Sequence, residues 1–120
     1  MRADSRSKIM KKLCIQIQPD RAPELDLRRV RTVSERIASD EARVSGFRVL
    51  GGDDGELFTD LIFETEQLSA LWEYVKSELY GDREIRAALL RASVAICEGK
   101  DGWNDYLLLY HFDDRERLDS

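Results

Sequence analysis

The sequence predicts an α+β fold in which helices cover one mostly antiparallel sheet in a two-layer sandwich. Three observations carry this prediction. Apolar residues recur at every second position or at every third to fourth position, in the order β-α-β-β-α-β-β along the 120 residues. Glycine-containing turns separate two pairs of neighbouring strand-like segments, as is typical of hairpins. A chain of this length fits a single domain, which buries roughly 65% of its unfolded surface on folding.

The first strand and the first helix have clear boundaries in the sequence. Leu13, Ile15 and Ile17 alternate with more polar residues, which indicates a half-buried strand that ends at Pro19. The following helix is expected to begin near Asp26, a candidate N-cap residue. Its apolar side is predicted to consist of Leu27, Val30, Val33, Ser34 and Ile37.

A hairpin and a second helix follow. Two alternating segments, 43–50 and 57–64, flank the turn sequence Gly-Gly-Asp-Asp-Gly and are predicted to pair antiparallel. The sequence does not decide which side of the earlier segment faces the core. One side carries Val44, Gly46, Arg48 and Leu50, and the other carries Ser45, Phe47 and Val49. Thr65 is a candidate cap for the next helix, and Gly81 is its expected stop. The apolar positions of this helix are Leu68, Leu71, Trp72, Val75 and Leu79.

The C-terminal third predicts one more helical segment and a second hairpin. Residues 83–92 are strong helix formers. Segments 93–98 and 104–112 alternate as strands do, and the sequence Gly-Lys-Asp-Gly-Trp joins them.

We expect three regions along the chain. Residues 1–9 form a polar, flexible leader, residues 10–113 form the single domain, and residues 114–120 form a charged tail. The tail is expected to fray, because it offers little apolar surface to anchor it.

The connections predict a specific topology. Right-handed crossovers place the first strand between the third and fourth strands and put both long helices on one face. This is a ferredoxin-like βαββαβ core, and the C-terminal hairpin strand extends the sheet beside the fourth strand. Cys14 and Cys97 then lie on neighbouring strands and are expected to share a face.

Composition argues against several classes of function. A net charge of −5 disfavours nucleic-acid binding, which depends on a basic surface. No apolar run reaches the roughly 18 residues of a membrane helix, and the first residues lack a signal-peptide core. Two cysteines are too few for a disulfide scaffold. We therefore expect a cytoplasmic protein with no cofactor, no metal and no membrane partner.

We expect a cover on the face of the sheet away from the helices. That face is expected to be polar in an open two-layer fold, yet the third and last predicted strands carry large apolar residues on both sides. Burying 500 Å² of such surface contributes about 12 kcal/mol before the costs of association. We expect a homodimer or another protein partner on this face. The predicted contact residues are Phe58, Ile62, Trp103, Tyr106, Tyr110 and Phe112.

Other candidate sites are weaker. His111 with Tyr110 is the most plausible reactive pair if the protein is a small-molecule sensor or a cofactor-independent enzyme. The acidic turn at 51–56 lacks the spacing of a calcium loop. The first helix carries a basic patch that consists of Arg28, Arg29, Arg31 and Arg36. The favoured interpretation is a small acidic, non-catalytic interaction module of the regulator or inhibitor type.

Overall fold

A computed structural model describes residues 10–51, 58–100 and 102–119. The predicted leader and most of the glycine-rich turn, at 1–9 and 52–57, lie outside these ranges. The described chain is an α+β fold with a five-stranded antiparallel sheet and three helices. In chain order the elements are β1 (Lys11–Ile17), a 3₁₀ turn (Pro19–Arg21), α1 (Leu27–Ala38), β2 (Gly46–Gly51), β3 (Thr59–Thr65), α2 (Leu68–Glu78), α3 (Arg86–Ala92), β4 (Ser93–Gly99) and β5 (Gly102–His111).

The strands lie in the order β2-β3-β1-β4-β5, with every neighbouring pair antiparallel. β1 is central, and its Leu13 lies opposite Phe63 on one side and Cys97 on the other. β5 pairs only with β4 and forms one edge of the sheet.

One core lies between the helices and one face of the sheet. Leu13, Ile15 and Ile17 are fully buried there, in one cluster with side chains from all three helices. The Asp26 carboxylate caps α1 by accepting a hydrogen bond from the Arg29 amide at 3.0 Å, as the sequence predicts. The helical residues of this cluster include Val30, Val33, Ile37, Leu71, Val75, Ala88 and Leu89.

The pairing of β2 with β3 shows which side of β2 faces the core. Phe47 lies opposite Phe63, and Val49 lies opposite Leu61, so these two β2 residues face the helices. The rings of Phe47 and Phe63 are 4.8 Å apart between centroids. Leu50 projects on the other face and is 43% exposed.

The prediction that Thr65 caps α2 is wrong, because Thr65 is the last residue of β3. Its hydroxyl accepts a hydrogen bond from the Gln67 amide at 2.8 Å and donates one to the Arg43 carbonyl. The helix α2 ends at Glu78, three residues before the stop expected at Gly81. A Cβ atom at Gly81 would lie 2.2 Å from the Ser77 carbonyl oxygen, so only glycine fits there.

β5 departs from simple alternation. Leu107 lies opposite Cys97 and Tyr110 opposite Ala95, which puts both on the helix side, while Leu108 and His111 lie on the other face. An irregularity between Ala95 and Ile96 produces this change, because Leu109 is an extra residue on the β5 side. Strict alternation along the predicted strand 104–112 would place Tyr110 on the same face as Leu108, and the structure shows that this is wrong.

The charged tail is anchored, in contrast to the expected fraying. It turns back after β5 and reaches Leu108 at the unpaired edge of that strand. The Asp119 amide donates a hydrogen bond to the Leu108 carbonyl at 2.7 Å, and the Asp119 carboxylate accepts one from the Leu108 amide at 2.8 Å. Leu118 is thereby held against the edge of the fold.

Candidate functional site

A groove lies between α2 and β5, on the helix side of the sheet. It encloses about 740 Å³. Its two walls are α2 and β5, the edge strand of the sheet. Its apolar lining consists of Leu68, Trp72, Tyr80, Leu90, Cys97, Leu107, Leu109, Tyr110 and Leu118. We call this feature the α2–β5 groove.

The helical wall of the groove comes from the width of the apolar stripe on α2. Leu71 and Val75 are fully buried in the core. Leu68 and Trp72 lie beside them on the helix and are only half-buried, so they form the wall that faces β5. The sequence identified Trp72 as a core position, and its spacing does not distinguish a core residue from a groove residue.

Two tyrosine rings, those of Tyr80 and Tyr110, form the floor of the groove. Tyr80 lies edge-on to Trp72 at 6.0 Å between ring centroids and 5.4 Å from Tyr110. The Tyr80 hydroxyl shares a 2.7 Å hydrogen bond with the buried Ser93 hydroxyl, and the Tyr110 hydroxyl donates to the Leu90 carbonyl at 2.6 Å. Because both phenols are already bonded within the protein, the floor offers mainly apolar surface to a ligand.

The electrostatics of the site keep these groups neutral. Burial raises the pKa of the Tyr80 phenol and also that of Tyr110. Burial raises the pKa of the Cys97 thiol as well. The charges lie at the rim, where the Lys76 ammonium is 2.9 Å from the Glu73 carboxylate. The groove is therefore an apolar cleft with charged borders.

Exposed apolar side chains adjoin the groove. Leu107 is 39% exposed and Leu118 is 47% exposed, although both line it. The backbone of β5 lies next to them at the sheet edge, where Leu108 presents its amide and carbonyl outward to the tail. This combination of an apolar cleft with a strand edge was missed by sequence analysis, which treated the tail as charged and unanchored.

The six predicted contact residues do not form one surface. Phe58 and Ile62 belong to the β3 side of the sheet, and Ile62 is 9% exposed. Trp103 and Tyr106 lie on β5, which is three strand spacings, or roughly 14 Å, from β3.

The remaining two lie at the opposite end of β5 from Trp103. Tyr110 is on the helix side, where it lines the α2–β5 groove. Phe112 is half-buried, and the Arg21 guanidinium lies 3.6 Å from its ring centroid.

The face opposite the helices is mixed in character. Cys14 and Ile62 are nearly buried by their neighbours within the sheet, yet they do not belong to the main core. Asp60 lies beside them, with one carboxylate oxygen buried and without a hydrogen-bond partner. Burial raises the pKa of Asp60, and burial together with Asp60 raises the pKa of Cys14 to about 12. The Cys14 thiol is therefore protonated at neutral pH and a poor nucleophile.

The two cysteines do not share a face, contrary to expectation. Cys97 pairs with Leu13 of β1, whereas Cys14 pairs with Ile96. Because side chains alternate along a strand, Cys14 lies on the open face and Cys97 lies on the helix side.

His111 and Tyr110 also project to opposite faces of β5. The His111 ring packs against Phe112 at 4.3 Å between centroids, and its Nδ1 accepts a hydrogen bond from the Asp113 amide at 3.0 Å. The structure does not bring this candidate pair together in one pocket.

The basic patch on α1 is largely paired with carboxylates. Arg29 donates two hydrogen bonds to Asp82, at 2.7 and 3.2 Å, and Arg31 lies 3.5 Å from Glu35. A third ion pair joins Arg36 to Glu78 at 3.6 Å. The Arg36 pair connects α1 to α2, and the Arg29 pair connects α1 to the turn before α3. All three pairs reduce the positive charge available to an external anion.

Asp82 makes stability depend on pH. The Arg29 guanidinium lowers the pKa of this carboxyl, whose side chain is 6% exposed. A group with a lowered pKa in the folded state stabilises the fold above its unfolded pKa of about 4, and this contribution disappears as the pH falls through the folded pKa. We expect Asp82→Asn to destabilise the fold at pH 7 and to cost progressively less below pH 4. Urea unfolding at pH 7 and pH 3 measures this difference.

The control is Glu73→Gln, since Glu73 is in an exposed ion pair with Lys76. Its effect on stability is expected to be small at both pH values. An equal cost of Asp82→Asn at pH 7 and pH 3 would contradict the assigned role.

Within 10–51, 58–100 and 102–119, no group of three or more histidine, cysteine, aspartate or glutamate residues is arranged to hold a metal ion. No helix in these ranges has both the length and the hydropathy of a membrane span. No family model matches the chain, and neither a curated protein nor a solved structure matches it.

Proposed function

We propose that this protein is a non-catalytic interaction module of the regulator or inhibitor type, which docks a protein partner through the α2–β5 groove. The observation that carries the proposal is the juxtaposition of an apolar cleft with an edge strand. Leu107 leaves 39% of its surface exposed at the point where these two features meet. Apolar clefts bordered by polar residues mark interaction sites in soluble proteins.

The proposed partner surface replaces the one expected from sequence. Leu107 and Tyr110 lie on the helix side of β5, whereas Ile62 belongs to β3 and Phe58 immediately precedes it, far from the groove. A partner seated on the groove contacts Trp72 and Leu107 together, and it buries apolar area next to an aromatic floor. Aromatic anchors of this kind dominate the energetics of many interfaces.

We also propose a name for the fold. We name the arrangement a ferredoxin-like βαββαβ core with β5 added, because β1 lies between β3 and β4 and β2 flanks β3. The added strand matters for function, since it provides both one wall of the groove and the sheet edge.

The test compares two leucines of similar exposure on opposite faces of the sheet. Leu107→Asp places a carboxylate in the groove, and we expect association with a partner, or with a second copy, to weaken at least about tenfold. Leu50→Asp is the matched control, because Leu50 is 43% exposed on the other face. The association constant of the Leu50→Asp variant is expected to stay within about twofold of that of the parent.

Two measurements cover both kinds of partner. Sedimentation equilibrium measures self-association, and binding to a purified protein that was first identified by photocross-linking from residue 107 measures hetero-association. If parent and both variants are monomers and cross-link to no protein, the docking function is refuted. If Leu50→Asp impairs association and Leu107→Asp does not, the opposite face is the interface.

A second candidate function is the binding of a small apolar molecule in the same groove. Its volume of about 740 Å³ lies in the range of known ligand pockets. The site residue is then Tyr110, which lines the groove, whereas His111 lies on the other face. A monomer without any protein partner is the result that favours this candidate over docking.

A further inference from the structure

The C-terminal tail already occupies part of the α2–β5 groove. Leu118 contributes to the apolar lining, and Asp119 lies at the border of the same cavity. Asp119 satisfies both outward-facing main-chain groups of Leu108, because its amide donates to the carbonyl and its carboxylate accepts from the amide. The tail thus engages the two features on which the proposed docking depends, the apolar cleft and the strand edge.

The fit of the tail is incomplete. Leu118 keeps 47% of its surface exposed, and a cavity of about 740 Å³ remains beside it. Among residues 117 to 119, only Asp119 forms hydrogen bonds with β5. A segment with a larger apolar side chain would bury more surface at the same position, and each additional Å² of apolar burial is favourable.

We infer that the groove recognises an extended segment of a partner protein that carries an apolar residue followed directly by an acidic one, and that the tail is its intramolecular competitor. This inference rests on the proposed docking function and specifies the partner's chemistry. The apolar residue enters the cleft beside Trp72 and Leu107. The acidic residue takes the place of Asp119 and binds the Leu108 amide and carbonyl at the edge of β5, which is a form of strand addition.

The tethering of the tail sets a threshold for the partner. A segment joined by a short linker acts at an effective concentration on the order of mM, so an external segment has to bind more tightly than the tail to displace it. Variants that release the tail are therefore expected to bind the same segment more tightly than the parent does.

The experiment uses the full chain and synthetic peptides. The double variant Leu118→Ser/Asp119→Ala releases the tail without shortening the protein. The probe is the peptide of residues 113–119, Asp-Asp-Arg-Glu-Arg-Leu-Asp, together with a form that carries Leu118→Phe and a control form that carries Leu118→Ser. Nuclear magnetic resonance follows amide exchange at Leu108 and the shifts of the Trp72 indole during titration.

We expect three results. Exchange of the Leu108 amide accelerates about tenfold or more in the double variant, because its hydrogen bond to Asp119 is lost. The probe peptide binds the double variant at least about tenfold more tightly than the parent, and the Leu118→Phe form binds more tightly still. The Leu118→Ser peptide does not shift the Trp72 signal.

Several outcomes overturn the inference. Unchanged exchange at Leu108 means that the tail does not dock there. If the peptide binds the parent and the double variant equally tightly, or binds neither, the tail does not compete with an external segment for the groove. Dimerisation of the parent that the double variant abolishes assigns the groove to the tail of a second copy. If the inference fails while Leu107→Asp still abolishes partner binding, the docking function stands and only the partner's chemistry is wrong.

Discussion

Phe63→Ala is expected to lower the free energy of unfolding by about 3–5 kcal/mol, the usual cost of removing a buried phenylalanine. Phe63 is fully buried at the centre of β3, and its ring packs against Phe47 at 4.8 Å. It also lies opposite Leu13 of β1, so the cavity would adjoin the central strand. Because domains of this kind have total stabilities of about 5–15 kcal/mol, this loss is a large part of the whole.

The matched control is Phe58→Ala. Phe58 lies immediately before β3 and is 37% exposed, so its removal is expected to cost less than about 1 kcal/mol. Urea unfolding of both variants, followed by far-ultraviolet circular dichroism, gives the comparison. Equal costs for the two substitutions would show that Phe63 does not lie in the core.

Gly99→Ala is expected to destabilise the fold by about 1–3 kcal/mol through steric overlap. Gly99 is buried at the end of β4, and a Cβ atom there would lie 2.1 Å from the Asp105 carbonyl oxygen. The contact is with backbone, so β5 has to move away from β4. Since β5 forms one wall of the α2–β5 groove, the same substitution is expected to change the groove as well.

Gly46→Ala separates steric overlap from the general effect of replacing a glycine. A Cβ atom at Gly46 would lie 2.6 Å from a carboxylate oxygen of Glu64, the end of a flexible side chain that can rotate away. Its cost is expected to be about 0.5 kcal/mol or less. Urea midpoints of the two variants and amide exchange along β5 test this difference. Similar costs, or β5 exchange unaffected by Gly99→Ala, would contradict the explanation.

The sequence was most informative where a local rule acts alone. Alternation located β1, and Asp26 caps α1 as its residue type and position predict. The glycine at position 81 also follows from local geometry, because the Ser77 carbonyl leaves no room for a side chain, although α2 itself ends at Glu78. In these places the determining contacts lie within a few residues along the chain.

Long-range geometry could not be read in the same way. The extra residue Leu109 reverses the faces of Tyr110 and His111, and no residue type near it signals an irregular strand pairing. The groove depends on how α2 lies relative to β5, which is a property of the assembled fold. Trp72 fits the apolar stripe of α2 equally well as a core residue or as a groove wall.

The anchored tail shows a third kind of limit. Leu118 is the one apolar residue among the charges of 113–120, and composition therefore favours fraying. Its contact with the groove depends on Asp119, which binds Leu108 by two hydrogen bonds. A single apolar residue followed by an acidic one near an edge strand is the signal that could have identified this contact.

The central position of β1 has a consequence for folding during synthesis. β1 leaves the ribosome well before its two partner strands, which begin only at residues 59 and 93. Such distant pairings are slow, because long loops have to close before any contact compensates for the lost entropy. Leu13, Ile15 and Ile17 therefore remain open to chaperones, or to other nascent chains, until β4 has also been translated.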